Sequence, residues 1–164
     1  STLCAALVAA GWRLLSDEMA LVDRESLAIQ PIPRPVSLKN RSINLLRERD
    51  PGAVFGPLIR GTSKGDLCHL RPPASAVLAQ QERVERAVVV FPSYGEGSGC
   101  ELTAEGPAET CLALIDNCFN FNLLAEAGFE TLAAFVDRSP GYRLAYDDLD
   151  RALPALAALA EGRP

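Results

Sequence analysis

Three observations predict an α/β fold for this chain. Strong helix formers fill residues 2–10, with Leu3 and Leu7 one turn apart, and Gly11 follows where a helix stops. Directly behind it runs a short apolar segment, residues 12–16, which ends in Asp17-Glu18. Much later, Ala87-Val88-Val89-Val90-Phe91 has the β-branched density of a buried strand, and helical and extended segments alternate after it. Helix and strand in alternation, rather than in separate blocks, is the α/β pattern.

The remaining elements follow in order. Residues 19–23 and 27–30 flank Arg24-Glu25-Ser26 as a hairpin. Pro31-Ile32-Pro33-Arg34-Pro35 is an extended connector, because each proline lacks a donor and restricts the residue before it. A short helix over residues 42–49 ends at Asp50-Pro51-Gly52, and a second hairpin turns through Thr62-Ser63-Lys64-Gly65-Asp66 to a strand over 67–70. One or two helical turns are expected over 74–81, then the strand 87–91, then a flexible loop over 93–99 with residues 100–102 extended beyond it. Helices are expected over 108–118, with Pro107 near the first turn, and over 129–136. A short strand at 143–146 precedes a last helix starting from Asp147, Asp148 or Asp150; an Asp150 cap would leave Pro154 harmless in the first turn. There is no internal repeat and no linker long enough to divide domains, so residues 1–164 are expected to form a single domain.

A net charge of -5 argues against a broad footprint for nucleic acid or anionic membrane, although residues 34–49 are locally basic. No run approaches the roughly 18 apolar residues of a membrane span, and the apolar start lacks a basic leader, so a cytoplasmic protein is expected. Five cysteines without a C-x-x-C pair fit reduced thiols better than disulfides or zinc.

Two short strings carry chemistry. Ser1-Thr2 at a helix start is either a helix cap or the [ST] end of G-x-x-x-x-G-K-[ST], whose hydroxyl ligates the magnesium of a nucleotide. The second alternative places residue 1 inside the nucleotide loop, with the glycines, the lysine and the first strand of the core upstream. Asp17-Glu18, at the end of the next extended segment, supplies carboxylates that hold magnesium or take a proton from an attacking hydroxyl; solvated turn residues are the plain alternative. The Gly95-Glu96-Gly97-Ser98-Gly99 loop is not read as a phosphate cradle, because no helix and no lysine follow it.

The string Gly11-Trp12-Arg13-Leu14-Leu15-Ser16-Asp17-Glu18 resembles the stretch after the nucleotide loop in the HPr kinase/phosphorylase family, and most closely its shorter HPr-kinase-related members. Arg34-Pro35-Val36-Ser37-Leu38-Lys39-Asn40, His69-Leu70-Arg71-Pro72-Pro73 and Asp148-Leu149-Asp150 extend the likeness over nearly the whole chain. The resemblance implies a P-loop nucleotide-binding core of the phosphoenolpyruvate-carboxykinase-like type. It implies an ATP-dependent serine kinase that uses Mg²⁺ and phosphorylates a hydroxyl on a small protein partner, with self-association by analogy. Ser1 then matches the magnesium-binding hydroxyl, Asp17 the catalytic aspartate that accepts the substrate proton, and Glu18 a second acidic, metal-side position. Ser1, Thr2, Lys39 and Arg41 are the candidate nucleotide contacts, and Arg34, His69 and Arg71 the candidate contacts to substrate or phosphate. A further metal-binding glutamate of the family has no counterpart, since residues 37–43 offer Lys39 and Arg41 instead. That departure argues against the phosphorylase half of the family's activity and favours one rival, a nucleotide- or partner-binding module without turnover; a P-loop small-molecule kinase is a further alternative. Lacking the loop lysine, residues 1–164 alone are expected to bind ATP weakly.

Overall fold

The computed structural model describes residues 1–162, which form a mixed α/β structure with three small sheets and six helices. They cluster into two compact units, one comprising Ser1–Val22 with Ile29–Val84 and the other Asp23–Ala28 with the residues from Glu85 onward.

The first unit opens with α1 (Thr2–Ala9), which buries Ala5 and Ala6. The helix ends as the glycine predicts. Gly11 takes φ +93°, its N–H donates to Val8 O at 2.9 Å, and Trp12 N–H donates to Leu7 O at 3.0 Å. This is the paired 5→2 and 6→1 bonding of a Schellman cap, which reverses the chain direction. Residues 12–16 are extended but form no strand. Ile32 N–H donates to Leu15 O at 2.8 Å, and one such bond is not a ladder. The first hairpin is shorter than expected, β1 (Leu21–Val22) pairing antiparallel with β2 (Ile29–Gln30).

After the proline connector, β3 (Val36–Lys39) leads into α2 (Arg41–Arg49). A tight hairpin, β4 (Ile59–Thr62) and β5 (Gly65–Leu70), completes an antiparallel sheet of order β3-β5-β4. Gly65 at φ +88° makes the turn, and a Cβ there would overlap Asn40. Asn40 clamps the same turn, its Oδ1 accepting from Asp66 N–H at 3.0 Å and its Nδ2 donating to Lys64 O at 3.3 Å. The core gathers Val36, Leu38 and Leu70 from the sheet with Ile43 and Leu46 from α2, all at most 5% exposed. A short α3 (Ala74–Leu78) closes the unit.

The second unit contains β6 (Val89–Tyr94), β7 (Cys100–Glu105), α4 (Pro107–Asp116), α5 (Phe121–Val136), β8 (Gly141–Tyr146) and α6 (Leu149–Ala160). Its sheet has the order β6-β8-β7, with β6 and β8 parallel and β7 antiparallel to β8. Several expectations need correction here. The β-branched run does not become a fully buried strand: β6 starts at Val89, lies at an edge and is half-buried or exposed throughout. The buried strand is β8, because it pairs on both sides and covers Gly141, Leu144 and Tyr146. The loop expected from residue 93 starts only after Tyr94, since Ser93 and Tyr94 pair with Ala145 and Tyr146. Asp147 then ties that loop, accepting from Gly99 N–H at 3.0 Å through Oδ2.

α5 begins at Phe121 rather than Phe129, and its backbone breaks at Ala125 (φ 47°, ψ −119°). α6 is capped by Asp148, whose Oδ1 accepts from Asp150 N–H at 2.8 Å, so Pro154 lies beyond the first turn, inside the helix. No helix among the described residues is long and apolar enough to cross a membrane.

Candidate functional site

The Gly11 reversal sends the chain back toward the start of α1, and Asp17 arrives beside Ser1. Ser1 occupies the cap position of α1 without capping it; its Oγ donates instead to Asp17 Oδ2 at 3.1 Å. The N–H of Ser37, on β3, donates to the same oxygen at 3.2 Å. The other oxygen, Asp17 Oδ1, is buried and accepts no hydrogen bond, with the α-amino nitrogen of Ser1 at 3.6 Å. Asp17's side chain is only 8% exposed. A buried carboxylate oxygen without a donor is costly unless a cation or a proton reaches it.

Ser16 fixes the approach of Asp17. Its Oγ accepts from Glu18 N–H at 3.3 Å and Met19 N–H at 3.2 Å, a local hydroxyl turn that bends the chain just after the aspartate. Behind the carboxylate lies Cys4, one turn into α1, whose Sγ donates weakly to Ser16 O at 3.9 Å. Burial pushes the Cys4 thiol up to about 11 from its ordinary 9.0; the Asp17 carboxylate adds to this and the α-amino group opposes it. The field of Asp17 therefore already registers on a neighbouring titratable group.

Strand alternation sets which other candidates share this face. Val36 and Leu38 are buried on one side of β3, so Ser37 and Lys39 stand on the other. His69 is the cross-strand partner of Ser37 in β5, which puts it on the same face, and it is exposed. Ser1, Asp17 and the Ser37 amide are thus brought into direct contact, with Lys39 and His69 beside them by register. Lys39's backbone is held by Ser42, whose Oγ accepts from Lys39 N–H at 3.0 Å and donates to Lys39 O at 2.6 Å.

The other candidates stand apart from this contact set. Glu18 is exposed past the Ser16 turn, and its carboxylate has no hydrogen bond or ion pair among the described residues. Thr2 is half-buried in the first turn of α1. Arg41 is the exposed first residue of α2, and Arg34 is exposed in the proline connector. Arg71 lines a different space, a mostly apolar cavity of about 320 Å³ shared with Ala5, Val8, Leu46, Val54 and Asp50.

No group of three or more His, Cys, Asp or Glu side chains among the described residues forms a metal cluster. The Ser1 hydroxyl and the Asp17 oxygen that accepts no hydrogen bond nevertheless fit an ion such as Mg²⁺, which takes one or two protein oxygens and fills its shell from water and phosphate. Sequence reasoning missed two participants. The Ser37 contact is made by its backbone, which no residue type advertises, whereas Cys4, three residues after Ser1 on an N-terminal helix, was open to a helical-face argument. Comparison with protein-family models, with curated proteins and with solved structures found no match.

Proposed function

We propose that the Ser1–Asp17 pair is the magnesium side of a phosphotransfer site. On this reading the chain belongs to an ATP-dependent serine kinase related to HPr kinase, built on a P-loop core of the phosphoenolpyruvate-carboxykinase-like type. The observation that carries the reading is the convergence of a helix-start hydroxyl and the Asp17 carboxylate, sixteen residues apart in sequence and 3.1 Å apart in space, with the second carboxylate oxygen buried and accepting no hydrogen bond. Phosphoryl transfer needs that juxtaposition, because catalysis there is positioning and charge neutralisation.

Mg²⁺, when bound, would neutralise charge on the β- and γ-phosphates. Ser1 Oγ and Asp17 would hold it, with Glu18 a candidate through water. Asp17 would also accept the proton as the acceptor serine Oγ bonds the γ-phosphorus and the bond from that phosphorus to the bridging oxygen of ADP breaks. The Ser37 amide would keep Asp17 aligned, and Lys39, emerging on the same face of β3, would draw the phosphate charge. His69, exposed opposite Ser37, is suited to contact the acceptor protein.

The test is phosphotransfer from labelled ATP by the natural full-length protein and its Asp17→Asn variant. Loss of a proton acceptor is expected to lower kcat about 10²-fold or more while the fold persists. If the variant binds Mg-ATP normally and turns over as before, Asp17 does not have this role. A second reading, nucleotide binding without turnover, draws on the presence of Lys39 and Arg41 where a metal-binding glutamate would be expected. Calorimetric Mg-ATP binding with no transfer to any acceptor would favour it.

A further inference from the structure

Between Arg86 and Arg138 the chain contains no lysine or arginine. That stretch also includes the junction of α4 and α5, where Phe119 is 84% exposed, Leu123 is 87% exposed and Leu112, one turn before the end of α4, is 63% exposed. Scattered apolar side chains on a surface need no explanation, but a phenylalanine and a leucine left almost wholly in water at one junction do. Cys118 Sγ bonds Asn120 Oδ1 at 3.3 Å, and the break at Ala125 separates the first turn of α5 from the part that buries Phe135 and Val136.

The charged side chains of the two helices and their ends are Glu109, Asp116, Glu126, Glu130 and Asp137, all exposed and none paired with a cation among the described residues. Two copies meeting through this surface about a two-fold axis would set acid against acid, which disfavours self-pairing. A partner with apolar side chains flanked by lysine or arginine would gain both burial and opposite charge.

We propose that the α4–α5 junction docks a basic amphipathic helical segment of another protein, with apolar side chains covering Phe119 and Leu123 and cations meeting the carboxylates that flank them in sequence, Asp116 and Glu126. The arrangement is the helix-docking mode, anchored by apolar residues and steered by charge. It does not rest on the nucleotide reading of Ser1 and Asp17.

The probe is a fluorescein-labelled leucine/lysine peptide with leucines at i, i+3, i+4 and i+7, compared with a scramble of the same composition by fluorescence anisotropy. The amphipathic peptide is expected to bind at least about tenfold more tightly than the scramble. Phe119→Ser and Leu123→Ser should each weaken it about tenfold, and Asp116→Asn with Glu126→Gln should weaken it and reduce its salt dependence. The serine substitutions replace exposed side chains, and unchanged circular-dichroism melts would show that the fold survives them. Equal binding of the scramble, or serine variants that bind as the parent does, overturns the proposal. So does self-association in light scattering that Phe119→Ser abolishes, because it assigns the surface to a second copy.

Discussion

The two three-stranded sheets differ in how far apart in sequence their partners lie. In β3-β5-β4 every neighbour is antiparallel, the β4–β5 turn is two residues, and the face opposite the core is left to Ser37, Lys39 and His69. In β6-β8-β7 the central strand comes last, after two helices, and pairs parallel on one side and antiparallel on the other. The first sheet combines one tight hairpin turn with a pairing closed across α2, and it leaves polar side chains displayed on one face. The second is held by a central strand that must travel, and its apolar exposure lies on its helices instead.

The contrast can be broken most forcefully at the central strand. Leu144, in β8, and Leu38, in β3, are both completely buried. Leu144→Ala and Leu38→Ala are each expected to cost about 2–5 kcal/mol in chemical denaturation. Hydrogen exchange separates the sheets. Leu144→Ala should loosen amide protection in β6, β7 and β8, whereas Leu38→Ala should loosen β3 and β5; uniform loosening by both would erase the distinction.

A smaller effect is expected at the local turn. Gly65 combines φ +88° with a Cβ position already filled by Asn40, so Gly65→Ala should cost about 1–3 kcal/mol through backbone strain and the displaced Asn40 clamp. Gly61, also at positive φ but with open space around its Cβ position, should cost about 1 kcal/mol on the same substitution. Equal losses in paired thermal melts would show that Asn40 gives way freely.

The smallest effect reports on the polar face itself. Because the folded Cys4 thiol is pushed up to about 11, it keeps its proton between pH 9 and that value while the unfolded chain loses it. Its contribution to stability is therefore unchanged below pH 9 and declines as pH rises through that window. At pH 8 its alkylation should run about 100-fold slower than that of a free thiol, read by peptide mass spectrometry. Asp17→Asn removes a charge that raises the thiol, so alkylation should quicken; no change would mean the carboxylate does not reach Cys4 electrostatically.

Much of the first unit was legible because its signals are local. Gly11 named its own cap, the prolines at 31, 33 and 35 excluded a helix, and the Thr62–Asp66 segment carried its turn chemistry in sequence. The second unit hid its topology. Nothing in residues 87–91 or 143–146 states that the latter will separate β6 from β7, and the richer β-branched run went to the edge while Gly141–Tyr146 took the centre. The start of α5 was missed because Phe121 to Leu124 forms a turn that the Ala125 break isolates from the periodic helix. In the candidate site, Ser1 and Asp17 were readable as residue types, Lys39 and His69 became neighbours only through strand register, and the Ser37 amide was invisible in principle.

The late position of β8 also sets a timetable for the growing chain. Until Tyr146 has been made, β6 and β7 have no central strand to pair with, and Val88 to Phe91 must wait as an unpaired, apolar, β-prone segment. Closing that sheet requires the ends of a long intervening stretch to meet, which slows folding relative to a hairpin. During synthesis this half of the molecule therefore passes through the period most open to aggregation or to a chaperone, while the β4–β5 hairpin can form as soon as its own residues emerge.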